Sequence, residues 1–233
     1  MIDFHSHILP AVDDGSKDAD ETLKLLSMLK EQGIDTVVAT PHFDAEKESV
    51  EEFILRRQDS YNKLKPSVSE EMPKVVLGAE VAYYDGISNL DGLENLCIEG
   101  TNLLLLEMPM CRWSEYALGE LKDLSCTKGY TVLLAHIERY MGDQPSYVPK
   151  QLSQLGILMQ VNASFFTGIF SKRKALNMLC KGEINAIGSD CHNTTTRPPT
   201  IGAAFDVIKN KLGEGFIRDL TEYHRNLLTG DIG

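Results

Sequence analysis

Seven short apolar runs, each separated from the next by a stretch of helical periodicity, constrain this 233-residue chain more than any other feature. They fall near 2–5, 36–40, 74–81, 103–107, 131–135, 157–161 and 184–188, and are rich in Val, Ile and Leu. Such runs read as strands buried on both faces, as parallel strands covered by helices are. Helical patterns are expected from Asp18, three residues before Glu21, to a stop at Gly33, and then near 47–65, 114–128, 145–155, 172–182 and 201–212. The length suits one α/β domain over residues 1–233. Strand–helix alternation of this kind closes into a (β/α) barrel, with an open doubly wound sheet as the alternative.

The residues at the ends of these runs carry the chemistry. In Asp3-Phe4-His5-Ser6-His7 the two histidines are spaced i, i+2, so a strand aims both imidazoles at one point. His42 follows the second run, Glu80 closes the third, Glu107 closes the fourth, and His136 follows the fifth. Asn162 follows the sixth, and Asp190-Cys191-His192 after the seventh repeats the i, i+2 spacing, with Cys191 turned away. The carboxyl ends of parallel strands share one rim, so these distant residues are expected to meet there. Any one of them alone would read as an ordinary hydrogen-bonded group; together they predict a metal site. Imidazole and carboxylate without thiolate suit Mn, Fe, Zn or Mg, and Glu80 and Glu107 are candidates to bridge two ions. Asp13 or Asp14 would add a carboxylate from the loop after His7. Glu138 reads as a solvated or structural carboxylate.

Composition narrows the partners and the compartment. The 34 acidic residues exceed the 23 basic ones by 11, which argues against nucleic acid as a partner. Five cysteines form no C-x-x-C pair and cannot all pair internally, so a reducing compartment, the cytoplasm, is expected. The first residues lack the pattern of a signal peptide, and no run approaches the ~18 apolar residues of a membrane span, so direct membrane insertion is not expected.

The ordered set D-x-H-S-H (3–7), T-P-H (40–42), G-x-E (78–80), A-H-I-E-R-Y (135–140), S-D-x-H (189–192) and R-P-P (197–199) resembles the PHP (polymerase and histidinol phosphatase) superfamily. Within it, the chain is most similar to the bacterial manganese-dependent protein-tyrosine phosphatases of capsule and exopolysaccharide operons, over residues 1 to about 230. The resemblance implies a distorted seven-stranded (β/α) barrel with three divalent metal ions, Mn2+ foremost. It assigns His5, His7, Glu80 and Asp190 to the first ion, Glu80, Glu107 and His136 to the second, and Asp14, His42 and His192 to the third, choosing Asp14 over Asp13. The substrate it implies is a phosphotyrosine protein, the tail of a membrane-associated bacterial tyrosine kinase controlling polysaccharide export. Two positions depart from the family pattern. Phe43 stands where relatives often carry a histidine or basic residue, and Tyr223-His224 stands where Asn-Pro tends to precede the last helix, with His224 expected at the surface.

The chemistry expected of such a site is attack on phosphorus by a hydroxide bridging two ions, with the third ion, Arg139 and Arg197 on the non-bridging oxygens. A tyrosinate leaving group, of reference pKa ~10, needs little acid catalysis, and no general acid is assigned. Without the family pattern, Arg197 would read as the start of the turn set by Pro198-Pro199, and Arg139 as a surface residue. Cys191 to Arg197 also spells C-x5-R, the spacing of cysteine-dependent tyrosine phosphatases. The intervening loop has no glycine to let amides converge on phosphate, so the match reads as coincidence. The competing functions are a phosphoesterase for a small molecule such as histidinol phosphate and a catalytically silent metal-binding module that docks a kinase.

Overall fold

The computed structural model describes residues 1–230. Its strands are β1 (Ile2–Ser6), β2 (Thr36–Ala39), β3 (His42–Phe43), β4 (Lys74–Leu77), β5 (Glu80–Ala82), β6 (Leu103–Glu107), β7 (Thr131–Leu134), β8 (Leu158–Asn162) and β9 (Ala186–Gly188). The helices are α1 (Ala19–Glu31), α2 (Val50–Leu64), α3 (Glu115–Lys122), α4 (Val148–Gln154), α5 (Ser164–Thr167), α6 (Lys172–Cys180), α7 (Ile201–Leu212) and α8 (Glu214–Thr229). Asp18 caps α1 by accepting from Glu21 N at 2.8 Å, and Ser49 with Glu52 forms a reciprocal capping box on α2.

Two expected strands are interrupted. The run at 36–40 stops at Ala39 and resumes at His42, because Pro41 has no N–H to donate to a ladder; the run at 74–81 breaks beside it at Gly78-Ala79. Hydrogen bonds carry the pairing across the break: Thr40 N to Ser6 O (2.8 Å), Gly78 N to Ala39 O (2.9 Å) and Glu80 N to Pro41 O (3.0 Å). The strands therefore form a sheet β1-β2-β4 and a sheet β3-β5-β6-β7-β8-β9, parallel throughout. The sheet curls until its ends meet, where Asp190 N donates to His5 O (2.8 Å) and His7 N to Cys191 O (2.9 Å).

The end of the chain holds a correction. Helix α8 has no counterpart among the expected segments, and Tyr223-His224 lies inside it rather than ahead of a helix. His224 is buried, contrary to the surface position expected of it, because Leu220, His224 and Leu227 share one face of α8. That face turns its imidazole onto Phe4 of β1 (ring centroids 5.0 Å apart) and toward Phe205 of α7 (6.5 Å).

Several strands carry an apolar residue low on the concave face and a polar one two or four positions later. Val38, Val76, Leu105, Leu133 and Ala186 join Phe4 in one buried cluster, while their neighbours Val37, Val75, Leu104, Val132 and Ile187 pack outward. Continuing the inward register in steps of two leads from Val38 to His42, from Val76 to Glu80 and from Leu105 to Glu107. A period-two rule thus turns an apolar base into a polar rim.

Candidate metal centre

Glu80 is the hub of that rim. Its Oε2 lies 3.1 Å from His5 Nε2, 3.3 Å from His7 Nε2 and 3.1 Å from His42 Nδ1, and its Oε1 lies 2.8 Å from His136 Nε2. Glu107 approaches His136 Nε2 at 3.4 Å, and Asp14 approaches His42 Nε2 and His192 Nε2 at 3.5 and 3.6 Å. Asp190 Oδ1 lies 3.5 Å from His7 Nε2 and 3.8 Å from His5 Nε2. The expected residues His5, His7, Asp14, His42, Glu80, Glu107, His136, Asp190 and His192 are therefore gathered at one end of the sheet. They fall into overlapping groups able to hold an ion: His7, Asp14, His42 and His192; His5, His7 and Asp190; His5, Glu80 and His136; His42, Glu80 and Glu107. Close backbone packing makes this possible. A Cβ at Gly188 would stand 2.5 Å from His5 Cβ, and one at Gly15 would stand 2.1 Å from His7 O.

The outer nitrogens fix which atoms face inward. His5 Nδ1 faces Gln160 Oε1 (3.3 Å), His7 Nδ1 faces Asp13 Oδ2 (2.7 Å) and His192 Nδ1 faces the Asp190 carbonyl (3.0 Å). With Nδ1–H donating to those oxygens, each neutral ring presents an Nε2 lone pair to the centre, the arrangement typical of a ligating histidine. His5 Nε2 and His7 Nε2 then face each other at 3.1 Å, two acceptors with nothing to share unless a proton or cation lies between them. Glu80 Oε2 and His192 Nε2 are buried and have no hydrogen-bond partner. Cations placed among them satisfy all four atoms, so the donor set fits divalent metal.

Electrostatics points the same way. Burial alone would lower the pKa of His5, yet Glu80 and Asp190 outweigh it and hold the ring above its ordinary value. For His7 burial is likewise overcome, here by Asp13, Asp190 and Glu80. Burial would push Glu80 and Asp190 up; His5 with His136 and His42 holds Glu80 well below the usual range, and His5, His7 and Arg139 hold Asp190 below it. Burial, reinforced by His7 and Arg197, lowers His192 to about 4, and burial lowers His136. The carboxylates concentrate negative charge that attracts a cation, while burial works against it to keep His136 and His192 neutral.

Asp190 and His192 reach the centre by a route other than strand alternation. β9 ends at Gly188, and Asp190 adopts a left-handed backbone (φ 53°), as does His136 (φ 30°), both rare for side-chain-bearing residues. Arg139 and Arg197 meet on Asp190: Arg197 Nη2 donates to Oδ1 at 2.9 Å and Arg139 Nη2 donates to Oδ2, which Asn162 also reaches at 2.8 Å. Both arginines remain over a third exposed, so their other N–H groups are open to the rim. Cys191 is fully buried, and burial together with Asp3 pushes its thiol up, the opposite of a nucleophile's environment. Glu138 is half-buried and structural, accepting from Asn162 N at 3.0 Å, with its carboxyl raised by burial to about 7. Phe43 is buried against Phe53.

Three orienting residues were not singled out from sequence as ligand partners. Gln160 Oε1 accepts from His136 N (2.7 Å) as well as facing His5, and Tyr140 Oη lies 3.1 Å from His136 Nδ1. Asp13, set aside in favour of Asp14, orients His7 and accepts from His42 N (3.0 Å). A polar amide at 160, two residues before Asn162 on an otherwise apolar strand, was the available signal.

Residues 1–228 match the family described as capsular polysaccharide synthesis, CpsB/CapC. The chain belongs to this family. It is 32% identical to the tyrosine-protein phosphatase YwqE of Bacillus subtilis, over 98% of this chain and 91% of that protein. Its fold matches a solved structure from the work on YwqE of B. subtilis and CpsB of Streptococcus pneumoniae, described as metal-dependent tyrosine phosphatases. The TM-score is 0.80 and the identity 29%, covering 98% of this chain and 94% of the other. A Listeria monocytogenes protein named for histidinol phosphatase aligns at TM-score 0.52 and 15% identity, over 82% of this chain and 95% of its own, a likeness of fold alone.

Proposed function

We propose that this chain is a metal-dependent protein-tyrosine phosphatase of capsule or exopolysaccharide synthesis. The observation that carries the reading is the convergence of four imidazoles on the Glu80 carboxylate, with inward lone pairs and an orphaned Oε2. His5, His7, Glu80 and Asp190 would hold one ion, Glu80, Glu107 and His136 a second, and Asp14, His42 and His192 a third, with Mn2+ the ion we favour. Bound divalent ions supply positive charge for the phosphoryl oxygens and acidify a water toward a pKa of ~7, so that hydrolysis proceeds at neutral pH. Arg139 and Arg197 grip the non-bridging oxygens, and Asp190 holds both guanidinium groups in place. Asp13, Gln160 and Tyr140 keep the imidazoles turned inward. A tyrosinate of reference pKa ~10 departs without an assigned acid.

Counting β2 with β3 and β4 with β5 as single interrupted strands, we read the curled sheet as a distorted seven-stranded barrel of PHP type, one domain over residues 1–233. The substrate we favour is the phosphorylated tail of a membrane-associated tyrosine kinase, met from the cytoplasm. No helix among the described residues is long and apolar enough to cross a membrane. The test compares turnover of a phosphotyrosine peptide with that of histidinol phosphate by manganese-loaded protein, alongside elemental analysis of protein purified without added metal. Preference for the peptide and loss of activity on chelation are expected; preference for histidinol phosphate overturns the assignment.

A further inference from the structure

A second concavity of about 640 Å3 lies outside the sheet, between α4 and α6. Its floor is apolar, with Trp113, Ile137, Met141 and Met178, and Phe170 stands at its edge 98% exposed. Lys150, Arg173, Lys174 and Lys181 ring it, against one acidic lining residue, Glu183. Among the described residues none of these four cations is hydrogen-bonded or ion-paired through its side chain. In a chain whose net charge is −11, such a cluster runs against composition. It also runs against local preference. Lys172, Arg173 and Lys174 fill the first turn of α6 and no acid does, although the helix dipole favours acids there. Broken local rules of this kind tend to mark function.

The groove shares a wall with the metal centre. From one loop, His136 and Arg139 face the centre, while Ile137, Met141 and Gln144 line the groove. Trp113 packs on Tyr140 (centroids 5.5 Å apart), whose hydroxyl meets His136. We infer that the groove binds a second phosphotyrosyl side chain of the same substrate peptide while the first occupies the metal centre. The inference rests on the phosphatase reading. An aryl phosphate matches both halves of the groove: its ring lies on the apolar floor and its dianion among the cations, where the Arg173 fork suits phosphate. A carboxylate-rich peptide would satisfy only the rim. The volume is within the ~300–1,000 Å3 of ordinary ligand sites.

The test uses metal-loaded full chain, p-nitrophenyl phosphate, a peptide with one phosphotyrosine, and a series with two at increasing spacing. At one spacing the doubly phosphorylated peptide is expected to have a KM about tenfold lower than the single one, an advantage that weakens with salt. The Arg173→Glu/Lys174→Glu variant loses that advantage and keeps wild-type turnover of p-nitrophenyl phosphate and of the single-site peptide. Trp113 is the only tryptophan, so a non-hydrolysable bis-phosphonate peptide should also change intrinsic fluorescence in the wild type and less in the variant. Equal KM values at every spacing, an advantage that survives the charge reversal, or a fluorescence response to anionic lipid vesicles in place of peptide would overturn the inference. No turnover of any aryl phosphate would instead sink the phosphatase reading, and the inference with it.

Discussion

The two ends of the concave face hold the same side chain in opposite electrostatic settings. At the rim, His5 and His7 are as buried as a residue can be, yet acidic neighbours raise their pKa values against the effect of burial. At the base, His224 is equally buried among Phe4, Phe205 and Tyr223, and burial lowers it to about 3. Neither ring nitrogen of His224 makes a hydrogen bond of normal geometry; only the main chain of Asn185 comes near. Burial therefore does not decide what an imidazole does. What faces it decides: carboxylates make a cation site, and aromatic rings make a neutral packing element.

The comparison breaks most visibly at Glu80. Glu80→Gln keeps the shape of the hub and removes its charge, so His5, His7, His42 and His136 lose the anion that organises them. We expect activity at saturating Mn2+ to fall at least about 10³-fold, with metal content falling in parallel, because Glu80 is the carboxylate proposed to serve more than one ion. Turnover assays and elemental analysis check this; near wild-type activity would mean Glu80 is structural. The sign of the pH effect follows from the raised His5 and His7. Protons compete with metal for their Nε2 atoms, so metal affinity should weaken as pH falls, and titration of metal into stripped protein at pH 8 and pH 6 measures it.

A smaller effect is expected one shell out. Gln160→Leu removes the acceptor shared by His5 Nδ1 and His136 N while leaving every ligand atom in place. Loss of such an orienting contact costs about 10–100-fold in metal affinity, so binding should weaken while activity returns at high Mn2+. Activity that stays lost at every metal concentration would mean that Gln160 does more than orient.

How much of this was legible in the sequence differs residue by residue. His5 with His7, and the steps from Val76 to Glu80 and from Leu105 to Glu107, follow from a period of two, which sequence reports directly. Asp190 and His192 share that spacing but not its cause, since a left-handed turn at Asp190 aims them, and sequence patterns do not report a strained dihedral. The interruption at Pro41 was written in the chain as a missing donor. His224 was misread because a single polar residue in an amphipathic helix carries no pattern of its own. Its burial is legible only from Leu220 and Leu227 on either side.

His224 gives the next prediction. Its folded pKa of about 3 lies below the unfolded value of 6.5, so the stability it contributes is full above pH 6.5 and is lost as pH falls toward 3. By pH 5 the loss from this one group is about 2 kcal/mol. His224→Leu should remove that part of the slope and leave the rim untouched. Urea denaturation of metal-stripped wild type and variant at pH 7 and pH 5 isolates it, because every other titrating group is common to both. Identical slopes would mean that His224 meets water or a partner when the protein is acidified.

The smallest effect separates the rim from the residue buried behind it. Cys191 sits between Asp190 and His192, bridges to β1 through its backbone, and begins a C-x5-R spacing that a cysteine phosphatase would use. Its sulfur is enclosed and its thiol held protonated by burial and by Asp3, so it has neither the access nor the charge of a nucleophile. Cys191→Ala should therefore leave kcat on a phosphotyrosine peptide within about twofold and cost about 1 kcal/mol of stability, the scale of a small buried void. A chelator should abolish activity in both proteins. The reverse pattern, a dead Cys191→Ala variant and a chelator-resistant wild type, would move the chemistry from the imidazoles and carboxylates to the sulfur between them.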